Sequence, residues 1–238
     1  MSKNIISLLL LVVTVTAFVV AFFYYSPQKT QANFARVETS KQTDEPVVAD
    51  PVILYVSKMS LEEKIGQMLI VGFEHKYADE HIIKMISQYH VGGINLLGRN
   101  VKDGVQTKQL IADLQKITDI PLFIATDQEG GKIIRFQFLK ELTPQINIKE
   151  TQQAERVAYN RAIELRELGV NMNFSPVVDY VSDNKSYLYN RTFGTGPETA
   201  GDLGKAMVHG YVKGGILPVV KHFPGYGNIF PDPHRNQA

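Results

Sequence analysis

Apolar residues occur in short runs along most of the chain, and the segments between the runs carry apolar residues at helical spacing. Five runs are predicted to be strands: residues 67–73, which should be buried, and residues 93–97, 121–126, 170–174 and 217–221. Helices are predicted over residues 80–89, 105–117, 150–168 and 198–213. A further helix should begin at Leu61, because Ser60 and Glu63 have the spacing of a capping box. Since single strands alternate with helices, the pattern predicts an α/β fold with one parallel sheet.

The longest apolar run lies near the N-terminus, from Ile5 to Tyr25, and contains no charged residue. As a helix it would extend roughly 30 Å at about 1.5 Å per residue, which is the thickness of a bilayer core. The run favours an uncleaved membrane anchor, with Lys3 on the cytoplasmic side. The alternatives are a cleaved signal peptide, with a weak cleavage signature at residues 30–32, and a buried core helix. The first two predict either a single-pass protein of the cell membrane with an extracellular domain or a secreted protein.

Composition refines this organisation. Residues 26–50 are polar and mixed in charge, which is typical of a linker between a signal anchor or signal peptide (1–25) and a globular domain (51–238). The chain has 25 basic and 24 acidic residues, so its net charge of +1 gives no general attraction to nucleic acid. Because cysteine is absent, the chain has no disulfide, thiol nucleophile or cysteine-based metal site.

Side chains able to do chemistry follow the predicted strands. Asp127 follows the third strand, Asp179 lies just past the fourth, and Lys221 and His222 close the fifth. An active site at this end of the strands is typical of a (β/α)₈ barrel, but a doubly wound sheet also binds ligands there. No G-x-G-x-x-G motif follows the first strand and the sequence contains no P-loop, so no nucleotide cofactor is predicted.

The segment KHFPGYGNIFPDPH (221–234) ends with Asp232 and His234, which point to the same side of an extended chain. Pro233 favours that extended geometry. A carboxylate beside an imidazole fixes the tautomer of the ring and stabilises its protonated form, which suits a general acid/base near neutral pH. The alternatives are a solvated pair in a surface loop and, together with His222, a metal site, which the adjoining lysine disfavours.

Three further segments supply candidate residues. Asp127, in DQEGG, could accept hydrogen bonds from vicinal sugar hydroxyls, and Arg135 could donate to the same ligand; alternatively Asp127 caps a helix and Arg135 is a solvated charge. Arg191, in NRTFG, is either a ligand-binding residue or a surface-loop residue. Asp179 is predicted to be structural, capping or pairing near the rim of the sheet.

These motifs occur together, and in this order, in one family. The sequence resembles the N-terminal catalytic domain of glycoside hydrolase family 3, and most closely its bacterial β-N-acetylglucosaminidase (β-N-acetylhexosaminidase) branch. The matching segments are MSLEEKIGQML (59–69), GGINLL (92–97), ATDQEGGKIIR (125–135), LGVNMNFSPVVD (168–179), NRTFG (190–194) and KHFPGYGNIFPDPHR (221–235). They cover nearly all of the globular part, and DQEGG with KHFPG and a downstream D-x-H is a specific combination.

The resemblance implies a (β/α)₈ TIM-type barrel and a two-step, retaining hydrolysis of terminal non-reducing N-acetyl-β-D-hexosamine. The sugar-binding residues that it implies are Asp127, Arg135, Arg191, Lys221 and His222. It implies that Asp232 and His234 form the acid/base dyad, where most retaining glycosidases use a carboxylic acid. With an extracellular domain, the expected substrate is N-acetylglucosamine linked to N-acetylmuramic acid in cell-wall fragments.

The chain departs from the family pattern at its C-terminal end. In the family the nucleophile is an Asp at a later strand end, and a closed barrel needs eight strands, whereas this sequence contains five. We therefore expect an incomplete barrel that is inactive alone, with a nucleophile beyond residue 238. The alternative functions are a non-catalytic cell-wall glycan binder and a family 3 β-glucosidase.

Overall fold

The structure, a computed structural model, describes residues 50–227. The α-helices in this part of the chain are α1 (Pro51–Lys58), α2 (Leu61–Gln67), α3 (Glu80–Ser87), α4 (Gly104–Gln115), α5 (Thr151–Leu168) and α6 (Pro197–Lys213). Its strands are β1 (Ile70–Val71), β2 (Gly93–Leu96), β3 (Phe123–Thr126), β4 (Met172–Asn173) and β5 (Leu217–Pro218). The predicted anchor at residues 5–25, nearly all of the predicted linker, and the predicted dyad of Asp232 and His234 lie outside the described residues.

The five strands form one sheet in the order β1–β2–β3–β4–β5, and every neighbouring pair is parallel. In the longest pairing, Gly93 of β2 lies opposite Phe123 of β3 and Leu96 lies opposite Thr126. This confirms the predicted α/β fold with one parallel sheet in sequential order. The described strands do not follow a doubly wound order. Because every pair is parallel, the C-terminal ends of all five strands lie along one edge of the sheet.

The first strand differs from its prediction as a buried strand over residues 67–73. Helix α2 extends to Gln67, and only Ile70 and Val71 pair with β2. Ile70 is 37% exposed, because β1 lies at the edge of the described sheet. The prediction of a buried strand is therefore wrong, and the apolar residues before Ile70 belong to the end of a helix and the turn that follows it.

The ends of the helices are fixed by local hydrogen bonds. Ser60 Oγ accepts from the Glu63 amide at 3.1 Å, and the Ser60 amide donates to the Glu63 carboxylate at 2.7 Å, so α2 begins with the predicted capping box. Asp79 and Asp103 accept from backbone amides at the starts of α3 and α4. Helix α5 ends at Gly169, which adopts the left-handed φ of 95° that a side chain would disfavour.

Helices α5 and α6 pack closely against each other. A Cβ atom at Gly210 of α6 would lie only 2.3 Å from the carbonyl oxygen of Glu155 in α5. Two side chains of α6 contact the Glu155 carboxylate: His209 Nδ1 and Lys213 Nζ each lie 3.2 Å from one of its oxygens. The contact therefore combines close backbone approach with exposed ion pairs at its border.

The apolar core lies between the sheet and the helices. Its members include Ile82, Leu114, Leu165, Met207 and, from the sheet, Ile94, all essentially without solvent exposure. Polar side chains are buried at and just beyond the C-terminal ends of β3 and β4: Thr126, Gln128, Glu129 and Asn173. No helix among residues 50–227 has both the length and the hydropathy needed to cross a membrane.

Candidate functional site

A cavity of about 720 Å³ opens where β3 and β5 end. Its wall combines acidic, basic and aromatic side chains: Asp127, Glu129, Lys132, Ile133, Arg135, Phe174, Tyr187, Arg191, Val219, Lys221, His222 and Tyr226. The five residues predicted to bind sugar are all in this wall, although they lie far apart in the sequence. The structure therefore brings the predicted binding residues together at one place.

Asp127 follows directly after β3 and is paired with two cations. Lys221 Nζ lies 2.8 Å from Asp127 Oδ1, and Arg135 Nη2 lies 3.6 Å from Oδ2. Burial alone would raise the pKa of the Asp127 carboxyl, but Lys221 and Arg135 outweigh burial and hold that pKa below its ordinary value. The helix-capping alternative for Asp127 is wrong, because the next described helical segment begins only at Gln145. Asp127 is thus an ionised hydrogen-bond acceptor on the cavity wall.

Glu129 is a second carboxylate in the wall, and sequence reasoning missed it. Its side chain is only 1% exposed. Arg191 donates to it twice, from Nε at 2.9 Å and from Nη2 at 2.8 Å, and Lys221 Nζ forms a third contact. The signal that could have found Glu129 is its place in DQEGG, two residues after Asp127 and next to two glycines.

The pairing with Glu129 also affects Arg191. Burial alone would lower the pKa of the Arg191 guanidinium, but the Glu129 carboxylate outweighs burial, so the pKa is raised and the charge is retained. With its side chain 11% exposed, Arg191 is not a solvated surface residue, and that alternative is wrong. Lys221 then bridges Asp127 and Glu129, so two carboxylates and two of the cations form one connected cluster.

Arg161 of α5 stabilises the loop that carries Asp127 and Glu129, and its side chain is fully buried. Arg161 Nη1 donates to the carbonyl of Glu129 at 2.8 Å, and Nη2 donates to the carbonyl of Thr143 at 3.0 Å. Gly130 lies between these contacts with a φ of +87°, and a Cβ there would lie 2.2 Å from the Thr143 oxygen. The glycine therefore allows the loop to pass close to its neighbour, and Arg161 fixes it there.

A second buried network links this loop to β4. Asn173 accepts from the Gln128 amide at 2.9 Å and donates to the Gln128 carbonyl at 3.0 Å. The Tyr211 hydroxyl accepts from both Asn173 and Arg161 and donates to Ser175 Oγ at 3.2 Å. The backbone of the Asp127–Glu129 segment is consequently held by Asn173 of β4 and Arg161 of α5, and Tyr211 of α6 bonds to both of these side chains.

His222 lies beside a buried carboxylate, that of Asp179. The His222 amide and its ring Nδ1 lie 3.0 and 2.6 Å from Asp179 Oδ2, and the Tyr226 amide donates to Oδ1 at 2.7 Å. Burial alone would raise the pKa of the Asp179 carboxyl, but these hydrogen bonds outweigh burial and lower it. The Tyr226 ring meets the imidazole edge-on, with 4.7 Å between the ring centroids. Asp179 is therefore a pairing residue, as predicted from the sequence.

The predicted dyad is not among these groups, because Asp232 and His234 lie outside the described residues. Their role as acid/base stays a prediction. Within residues 50–227, no three histidine, aspartate or glutamate side chains are grouped in a way that could hold a metal ion. The metal site considered for His222 with Asp232 and His234 extends beyond these residues.

Comparison with known proteins finds relatives named as β-hexosaminidases. The chain is 34% identical over 158 residues to the Beta-hexosaminidase of Nitrosomonas eutropha, covering 62% of this chain and 45% of the relative. It is 31% identical over 185 residues to Beta-hexosaminidase LpqI of Mycobacterium tuberculosis, covering 74% of this chain and 46% of the relative. The chain thus spans less than half the length of these two curated relatives.

The fold has solved counterparts. The structure of a glycoside hydrolase family 3 beta-N-acetylglucosaminidase from Paenibacillus sp. str. FPU-7 is similar with a TM-score of 0.70 and 34% identity, covering 74% of this chain and 35% of that protein. The family model for the Glycosyl hydrolase family 3 N terminal domain matches residues 60–238. Because this match includes most of the chain and the whole described cavity, the chain belongs to glycosyl hydrolase family 3.

Proposed function

We propose that this protein is a β-N-acetylhexosaminidase that removes terminal, non-reducing N-acetyl-β-D-hexosamine with retention of configuration. The observation that carries the proposal is the cluster of Asp127, Glu129, Lys221 and Arg191 in the cavity wall of a family 3 chain. The relatives named above as β-hexosaminidases support the choice of sugar.

The chemistry of the cavity suits a sugar. The ionised Asp127 can accept hydrogen bonds from two neighbouring hydroxyls, while Lys221 and Arg135 beside it can donate to the same oxygens. The volume of about 720 Å³ is within the usual range of small-ligand sites. The wall contains four cationic side chains and two carboxylates, so it offers a polyhydroxylated ligand both donors and acceptors.

We assign the acid/base role to Asp232 and His234, which lie six and eight positions after the cavity-lining Tyr226 in the sequence. An imidazole beside a carboxylate can protonate the leaving oxygen and later deprotonate a water molecule. A retaining mechanism also needs a nucleophile about 5 Å from that group. Asp127 is committed to Lys221 and Arg135, so we assign it to binding and name no nucleophile in this chain. We further infer that the parallel sheet is part of a (β/α)₈ barrel.

The test compares nitrophenyl N-acetyl-β-D-glucosaminide with nitrophenyl β-D-glucoside, using the product of the complete reading frame. Faster turnover of the N-acetylated substrate, with a β-configured first product, supports the proposal. Preference for the glucoside would indicate the β-glucosidase alternative, and binding without turnover would indicate a glycan binder. Lys221→Met should abolish turnover, and Lys213→Met, at an exposed ion pair on α6, is the matched control.

We also propose that residues 5–25 anchor the protein in the membrane, so that the substrate is cell-wall glycan outside the cytoplasm. The length and apolar character of this segment support the proposal. A reporter fused to residues 1–50 should be exported and should remain with the membrane fraction. Recovery of the reporter in the cytosol would contradict export, whereas release into the medium would favour the cleaved signal peptide.

A further inference from the structure

Asp179 accepts hydrogen bonds from one short segment of chain. Its carboxylate lies beside three nitrogen atoms: the backbone amides of His222 and Tyr226, and Nδ1 of the His222 ring. The side chain of Asp179 has no exposed surface, whereas that of His222 is 21% exposed and lines the cavity. Asp179 is therefore the buried partner of His222, and Nε2 is the ring nitrogen that Asp179 leaves available.

The backbone keeps the two residues in register. Val177 and Lys221 form a parallel bridge, in which the Lys221 amide donates to the Pro176 carbonyl at 3.0 Å and the Val178 amide donates to the Lys221 carbonyl at 2.8 Å. These bonds continue the pairing of β4 with β5 up to the site. The backbone pairing thus brings Asp179 and His222 close together, and the carboxylate lies 2.6 Å from Nδ1 of the ring.

The donor and acceptor roles follow from this arrangement. An ionised carboxylate only accepts hydrogen bonds, and the hydrogen-bonded Asp179 carboxyl has a lowered pKa, so it is ionised. The Nδ1 atom of His222 must then carry a proton in order to donate. In a neutral imidazole the second nitrogen, Nε2, is consequently left with its lone pair.

We propose that Asp179 is a positioning residue that fixes His222 as the Nδ1–H tautomer, so that Nε2 offers the sugar a hydrogen-bond acceptor. This inference rests on the proposed function for the identity of the ligand. In addition to the donors Lys221 and Arg135, the site then has an acceptor and requires a ligand hydroxyl that donates to His222. A fluorine atom at that position cannot donate and should weaken binding.

The tautomer is tested first in the unliganded protein, by ¹⁵N nuclear magnetic resonance of the histidine rings over a pH series. The His222 signals are assigned with the His222→Gln variant. The neutral ring should show a protonated Nδ1 and an unprotonated Nε2, and detection of a proton on Nε2 in the neutral ring would overturn the inference. Because no ligand is added, this result is independent of whether the sugar assignment is right.

The variant Asp179→Asn should raise the Nε2–H population, because its amide can donate to Nδ1. The matched control is Glu155→Gln, which alters the exposed carboxylate beside His209 Nδ1 and should leave the His222 signals unchanged. If Asp179→Asn fails to fold, the spectrum of the unsubstituted protein still shows which tautomer His222 adopts. A His222 spectrum that is unaltered in folded Asp179→Asn would contradict the positioning role.

The acceptor is tested with N-acetylglucosamine and its 3-, 4- and 6-deoxyfluoro analogues, titrated by calorimetry. One analogue should bind about 3- to 10-fold more weakly, the usual effect of losing one net hydrogen bond, and Asp179→Asn should reduce that difference. Equal affinity for the whole series would overturn the acceptor role. Failure of N-acetylglucosamine itself to bind would overturn both the acceptor role and the proposed function, while the tautomer result would stand.

Discussion

Arg191 and Glu129 form a two-pronged ion pair in the cavity wall, with Nε and Nη2 at 2.9 and 2.8 Å from the two carboxylate oxygens. The two residues come from different loops, one after β3 and the other after β4. Their pairing fixes the guanidinium plane of Arg191, because a bidentate contact leaves little freedom of rotation. Glu129 thus connects the loop after β3 to the loop after β4.

The first prediction concerns Glu129→Gln. The substitution leaves Arg191 and Lys221 next to a neutral amide in a nearly dry environment, so the free energy of unfolding should fall by about 3 kcal/mol. Urea denaturation of the purified protein measures this value. Glu155→Gln, at the exposed pair on α5, should have little effect. Equal losses in the two variants would show that the buried cluster does not stabilise the fold.

The second prediction concerns acid stability. The folded-state pKa of Asp127 is lowered, so between that pKa and the ordinary value of about 4 the unfolded chain binds more protons than the folded chain. The stabilisation that Asp127 provides is therefore complete above about pH 4 and is lost as the pH falls through the folded pKa.

Urea unfolding of the protein and of Asp127→Asn at a series of acidic pH values tests whether this stabilisation is lost as the pH falls. The free energy of unfolding should fall less steeply with decreasing pH in the variant. Asp179 also has a lowered pKa, so part of the slope should remain. Identical slopes would mean that Asp127 is not held in its charged form by Lys221 and Arg135.

The third prediction compares two glycines of helix α6. Gly201→Ala should stabilise the protein by up to about 1 kcal/mol, because a Cβ there meets no atom within 4 Å and alanine is the better helix former. Gly210→Ala should destabilise it, because its Cβ would clash with the backbone of α5. Thermal unfolding measures both shifts. A stable Gly210→Ala variant would show that α5 and α6 are not as close as described.

The fourth prediction concerns His234 in the product of the complete reading frame. His234→Ala should slow turnover of a natural disaccharide by roughly 10²–10⁴-fold, the usual contribution of one general acid/base. The loss should be smaller for a nitrophenyl glycoside, because its leaving group needs little protonation. His209→Ala, at an exposed position on α6, is the control. Normal turnover in His234→Ala would place the acid/base elsewhere.

Much of the described fold was predictable because it depends on local signals. The capping box of Ser60 and Glu63 set the start of α2, and Gly169 set the end of α5. Strand limits were predicted less well, since hydrophobicity alone does not separate the end of α2 from β1. Val105 has helical spacing with the apolar residues of α4 but is 83% exposed, because it lies in the first turn of that helix, outside the core.

The site was predictable only in part, for a different reason. Asp127 follows β3 directly, and Lys221 and His222 lie three and four residues after β5, so their shared location follows from the parallel sheet. The role of Glu129 could not be predicted from its neighbours in the sequence, because its main partner is Arg191, 62 positions further along the chain. Asp179 could be given a pairing role but not a partner, since its contact with His222 requires the bridge between residues 177 and 221.

The bond between Lys221 and Asp127 joins residues 94 positions apart, and this separation has a consequence during synthesis. At about 5–20 residues per second, the ribosome adds Lys221 roughly 5–20 s after Asp127. During that interval the Asp127 and Glu129 carboxylates lack their shared ammonium partner, and no cavity exists. The capacity to hold a ligand therefore arises late in translation, and a nascent chain halted before residue 221 should have none.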